Sequence, residues 1–120
     1  MPTITIEGVG ACEAVAGRRL VLAIEDCGVD IGHRCGGHAR CTTCRVRFID
    51  GEPATMTRAE HDKLEDRGLL GEVRLSCQIV VEADMTVEPL MTVAAMGWSD
   101  PGPPPELTVT PEPEWITREA

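Results

Sequence analysis

Four of the six cysteines fall in one array: Cys35, Cys41 and Cys44 inside CGGHARCTTC, and Cys77 inside RLSCQ. Three thiolates on a tight glycine-bearing loop, with a fourth from a distant part of the chain, can hold an iron–sulfur cluster. Ferric iron is satisfied by soft, charged thiolates, and a two-iron core takes two per iron. Cys41-Thr-Thr-Cys44 places two sulfurs close enough for one site, and Cys35 reaches it by a five-residue arc. Gly36 and Gly37 allow backbone N–H groups to bend towards the sulfurs, where hydrogen bonds moderate their charge. The plant-type two-iron spacing is C-x4-C-x2-C with a remote fourth cysteine; here the first gap is one residue longer.

Other chemistries fit this array less well. Zinc also takes four cysteines, and it stays open as the alternative, but ribbon-type zinc sites use two C-x2-C knuckles where this chain has one. Disulfides do not suit cysteines crowded into one loop without an export signal. A Rieske centre needs two histidine ligands, and His33 and His38 read simply as polar loop residues. His61 reads as a surface residue, and Cys12 and Cys27 as small hydrophobes facing a core. No nucleophile–base set, nucleotide loop or paired catalytic acids stand out, so the chain is not expected to be an enzyme.

Several elements must position the array. Thr3–Glu7 alternates as a strand, Gly8 and Gly10 turn it, and residues 12–16 return as the second arm of a hairpin. Residues 18–27 carry Leu20, Val21, Ile24 and Cys27 at the spacing of one helix face, with Gly28 as its stop. Residues 30–43 form the site loop. Residues 44–50 alternate again, with Val46 and Phe48 on one face and Arg45 and Arg47 on the other. Thr57-Arg-Ala-Glu60 is a capping-box pattern that opens a helix to about Arg67. Its acids Glu60, Asp62, Glu65 and Asp66 read as a solvated face. Residues 73–81 read as a strand through Cys77, and residues 85–90 as a short final one.

Composition narrows the reading further. The chain has 120 residues, room for one domain, and its only aromatics are Phe48, Trp98 and Trp115, so the core must be aliphatic. A core this small gains from a metal crosslink. Net charge is −9, with thirteen acids against five bases in residues 57–120. Such a field repels nucleic acid and anionic membranes and favours a basic partner. The N-terminus has neither the basic start nor the apolar run of a secretory signal, and no stretch has the length of a transmembrane helix. With spare thiols at Cys12 and Cys27, a cytoplasmic location is expected. Residues 91–120 hold six prolines, five acids and one base, and read as an acidic proline-rich extension to a domain spanning 1–90. Trp98 and Trp115 could dock that extension on the domain.

The hairpin, the helix, the CGGHARCTTCRV loop and the RLSCQ segment together resemble the 2Fe–2S ferredoxins, over residues 1–90. The five-residue first gap is similar to the adrenodoxin-like and bacterial group. Thr42-Thr43 stands where that group usually has Ser-Thr, and Arg45 where it has His. The resemblance implies an α+β fold of β-grasp type, a mixed sheet with a helix packed across it, followed here by the proline-rich tail. It implies a single 2Fe–2S cluster with Cys35, Cys41, Cys44 and Cys77 as its ligands. It further implies a soluble, monomeric one-electron carrier working between a ferredoxin reductase and an acceptor enzyme. Arg34, Arg40 and Arg45 flank the loop and are expected to offset cluster charge, and acids within residues 60–66 to meet a basic partner surface. Two alternatives remain: a dedicated ferredoxin subunit of one oxygenase or dehydrogenase, and a zinc or redox-sensing structural module.

Overall fold

The computed structural model describes residues 2–29, 31–32, 44–92, 96–97, 109 and 114–117. The loop carrying Cys35 and Cys41, together with Trp98, lies outside the described residues.

Alternating Thr and Ile make strand β1 (Thr3–Ile6), which buries Ile4 and Ile6 on one face. Gly8 and Gly10 adopt positive φ and turn the chain into the antiparallel β2 (Gly10–Glu13). Helix α1 (Leu20–Asp26) buries Leu20, Val21, Ala23 and Ile24. It begins two residues later than its apolar spacing suggests, because Arg19 is extended and serves as the N-cap without a capping side-chain bond. Next come β3 (Arg45–Asp50), β4 (Thr55–Thr57), α2 (Arg58–Asp66), β5 (Arg74–Leu75), β6 (Met85–Pro89) and β7 (Trp115–Thr117).

The main sheet has the order β2-β1-β6-β3-β5. Its β1–β6 pairing is parallel and the others are antiparallel, so the sheet is mixed, with α1 packed on it as in a β-grasp. Val46 of β3 is buried, whereas Arg47 points outward and pairs with Glu88 across the strands at 2.8 Å. A register shift between Phe48 and Asp50 bends the end of β3. The core is aliphatic, built on residues such as Ile4, Leu20, Ile24, Val46, Leu75 and Val87.

Three features depart from the sequence reading. The segment expected as one strand through Cys77 pairs only at Arg74–Leu75, then tightens into a 3₁₀ turn, Ser76–Gln78. A second sheet pairs β4 with β7, which stitches the chain at residues 115–117 back onto the start of α2. Trp115 sits on that strand 46% exposed, so it docks by backbone pairing more than by burial. Finally, Cys12 and Cys27 are joined as a disulfide, their Cα atoms 6.1 Å apart. Both are half-buried, where two separate core thiols were expected.

Candidate metal centre

Register brings two of the expected cysteines to one end of the sheet. Antiparallel pairing sets Arg45 opposite Leu75, so the residues just outside the ladder, Cys44 and Ser76, meet next. Ser76 donates both its N–H (3.2 Å) and its hydroxyl (2.7 Å) to the carbonyl oxygen of Cys44. Cys77 follows in the 3₁₀ turn. Cys44 and Cys77 are both buried, and neither is in a disulfide.

The surroundings of Cys77 are polar and organised. The Gln78 side-chain N–H lies 3.6 Å from its sulfur, a distance suited to an N–H···S contact. That amide is oriented from its other end, where the Thr57 hydroxyl donates to Gln78 Oε1 at 2.7 Å. Thr57 is the N-cap of α2 and accepts from Glu60 N–H at 3.1 Å, as the capping-box pattern suggested. On the backbone side, Arg19 donates to the Cys77 carbonyl from Nε (2.9 Å) and Nη2 (2.6 Å). The Arg19 side chain is fully buried.

A second buried group braces the turn. The carboxylate of Glu60 accepts from Arg74 Nε (2.7 Å), Arg74 Nη2 (3.2 Å) and the Leu75 N–H (2.8 Å). Arg74 continues to Glu52, to the Pro53 carbonyl and to the Thr55 carbonyl. Burial pushes the Glu60 carboxyl above its ordinary range, and the adjacent Arg74 guanidinium opposes that rise. Glu60, read from sequence as part of a solvated face, is thus an internal anchor, because the same i+3 position that caps a helix also faces β5. Asp62, Glu65 and Asp66 do remain exposed. His61 is only 15% exposed and lies 3.3 Å from Asp62, more enclosed than a surface reading implies.

The donor chemistry fits an anionic thiolate-bound metal group: two buried thiols on adjoining segments, an amide N–H at one sulfur, and a guanidinium on the carbonyl of the same residue. The family model for the 2Fe–2S iron–sulfur cluster binding domain matches residues 4–82, a span that includes every element of this arrangement. The chain belongs to that family. Among its relatives, 2Fe-2S ferredoxin-5 of Aquifex aeolicus (strain VF5) is 34% identical over 84 residues, covering 65% of this chain and 85% of the relative. One component of the Na(+)-translocating NADH-quinone reductase of Marinomonas sp. (strain MWYL1) is 33% identical over 86 residues, and the match spans 72% of this chain and 21% of that component. In structure, the ISC-like [2Fe-2S] ferredoxin FdxB from Pseudomonas putida JCM 20004 aligns with a TM-score of 0.60 at 30% identity, covering 73% of this chain and 91% of that one. The cofactor of this ferredoxin domain is a 2Fe–2S cluster.

Of the sequence-derived site residues, Cys44 and Cys77 lie on segments joined by the Ser76 bonds to the Cys44 carbonyl, while Cys35 and Cys41 lie outside the described residues, as do Arg34 and Arg40. Arg45 is half-buried at the start of β3. Among the described residues Arg19 reaches a site cysteine, and the sequence reading places it inside the 18–27 helix without a role. Gln78 was visible as the neighbour of Cys77 in RLSCQ, but nothing in the sequence aimed its amide at the sulfur.

Proposed function

We propose that the chain carries single electrons on one 2Fe–2S cluster ligated by Cys35, Cys41, Cys44 and Cys77, between a reductase and an acceptor enzyme, without catalytic activity of its own. The observation that carries this reading is the bonding of Ser76 to the Cys44 carbonyl, which joins buried Cys44 to the turn that holds buried Cys77, inside a domain of the cluster-binding family. When bound, such a cluster supplies reversible one-electron transfer. Around it, Cys44 and Cys77 supply thiolates from two segments tied by the Ser76 bonds to the Cys44 carbonyl. Gln78 offers a hydrogen bond to the Cys77 sulfur, and burial of both cysteines keeps water from their side of the site.

Docking falls to the exposed acids of α2, Asp62, Glu65 and Asp66, facing a basic surface on the partner. Such contacts are screened by salt, so electron transfer to a reductase should slow as ionic strength rises; a flat profile removes α2 as the docking face. We take the carrier to be a monomer, with residues 1–90 as the electron-carrying domain and 91–120 as an extension; the Cys12–Cys27 disulfide removes the spare thiols on which a cytoplasmic location was expected. No helix among the described residues is long and apolar enough to cross a membrane.

The test is a visible spectrum with EPR before and after dithionite, on the protein and on each Cys→Ser variant. A red-brown, EPR-silent sample that partly bleaches and gives a spin-half signal on reduction supports the reading. Serine at any of the four positions should abolish or alter that signal. A colourless protein holding stoichiometric zinc overturns it.

A further inference from the structure

Arg19 is a charge placed inside the domain rather than on it. Its guanidinium is always protonated, its side chain is fully buried, and a buried charge is costly unless something nearby compensates it. Its backbone is fixed as well: Arg19 pairs with Val80 in an isolated bridge, and Leu20 N–H donates to the Ile79 carbonyl at 2.8 Å. The side chain has little freedom, and two of its N–H groups converge on one acceptor, the carbonyl of Cys77. The carbonyl is a dipole. A cluster ligated by the Cys77 thiolate would bring to this residue a net charge of roughly −2 when oxidised and one unit more negative when reduced.

We infer that Arg19 is a positioning residue that raises the reduction potential of the cluster by holding a buried positive charge behind Cys77. Reduction adds one electron to the cluster, supplied by the reductase, with no bond made or broken. A fixed cation therefore stabilises the reduced form more than the oxidised one, and in the poorly polarisable interior that difference is only weakly screened. The acidic envelope of the domain opposes reduction; Arg19 is the internal counterweight. The inference rests on Cys77 being a ligand, as proposed above.

The experiment is a spectroelectrochemical titration of the cluster-loaded full chain, comparing wild type with Arg19→Gln, which removes the charge, and Arg19→Lys, which keeps it. Arg19→Gln should shift the reduction equilibrium at least tenfold towards the oxidised form, ~59 mV for one electron, with the visible and EPR signatures of the cluster intact. Arg19→Lys should stay close to wild type. Loss of charge without a change in potential overturns the inference, and so does an equal shift in both variants, which would assign the effect to hydrogen-bond geometry. If Arg19→Gln takes up no cluster, the charge-removing Arg19→Met takes its place beside Arg19→Lys: a tenfold shift in Arg19→Met alone supports the role of charge, and no shift, or an equal one in both, overturns it. Failure of the ligand reading shows separately, as a Cys77→Ser protein with unaltered spectrum and potential.

Discussion

Replacing Glu60 with alanine tests whether the buried Glu60–Arg74 pair holds the Cys77 turn in place. Both side chains are enclosed, at 0% and 4% exposure, and the pair is bidentate, with a third bond to the Leu75 N–H. Removing one partner of a buried pair costs about 3–5 kcal/mol, because the other charge stays buried without it. Arg74 would still reach Glu52, Pro53 and Thr55, which argues for the lower figure, while the Leu75 N–H loses its acceptor at about 1–3 kcal/mol. A net loss of about 3 kcal/mol is a large share of the roughly 5–15 kcal/mol that holds a typical domain together. For a chain of this size it corresponds to a melting temperature lower by about 10 °C. The assay is loss of the cluster's visible absorbance on heating at a fixed scan rate, since cluster loss makes unfolding irreversible. The double variant Glu60→Leu/Arg74→Met should recover much of the difference, because it removes both charges together. A single-variant shift below about 2 °C would refute the reasoning, placing the pair with exposed ion pairs that contribute little.

Thr57→Val removes both the α2 N-cap and the hydroxyl donated to Gln78; stability should fall by about 1–2 kcal/mol, and reduced-state EPR should broaden as the Gln78 amide loses its orientation. Gly51 has φ +76, and a Cβ there would run into the Asp84 carbonyl oxygen, so Gly51→Ala should destabilise the bend after β3 by more than about 1 kcal/mol in a melting scan. Differential alkylation with peptide mass mapping should find Cys12 and Cys27 protected as a linked pair in the purified protein and labelled only after a dithiol reductant; labelling of both without reductant would show that they stand as separate thiols.

Much of this architecture was legible because its signals are local. The Thr-Ile alternation of β1, the apolar spacing of α1 and the Thr57–Glu60 box each depend on residues within a few positions of one another. The cysteine array was proposed for a different reason, that soft ligands at tight spacing have few other uses, and of its members the described residues include Cys44 and Cys77. What escaped was set by tertiary partners. Glu60 looks solvated along its own helix and is buried only because β5 passes beside it. Residues 55–57 read as the approach to a helix until a strand 60 residues away, at Trp115–Thr117, supplies their pairing. Cys77 sits in a 3₁₀ turn rather than a strand because the Ser76 hydrogen-bonding groups turn to the Cys44 carbonyl. Arg19 offers no sequence signal at all for burial, since arginine before a helix is normally exposed.

The parallel pairing of β1 with β6 also sets an order of events during synthesis. Thr3 N–H bonds to the Asp84 side chain, 81 residues away, so β1 must wait for that segment to emerge before it gains its second neighbour. At roughly 5–20 residues per second that wait is about 4–16 s. Cys35, Cys41, Cys44 and Cys77 all precede β6. A nascent chain therefore presents all four cysteines proposed as ligands while the middle of the sheet is still open, and β6 closes that sheet over chemistry that can already have begun.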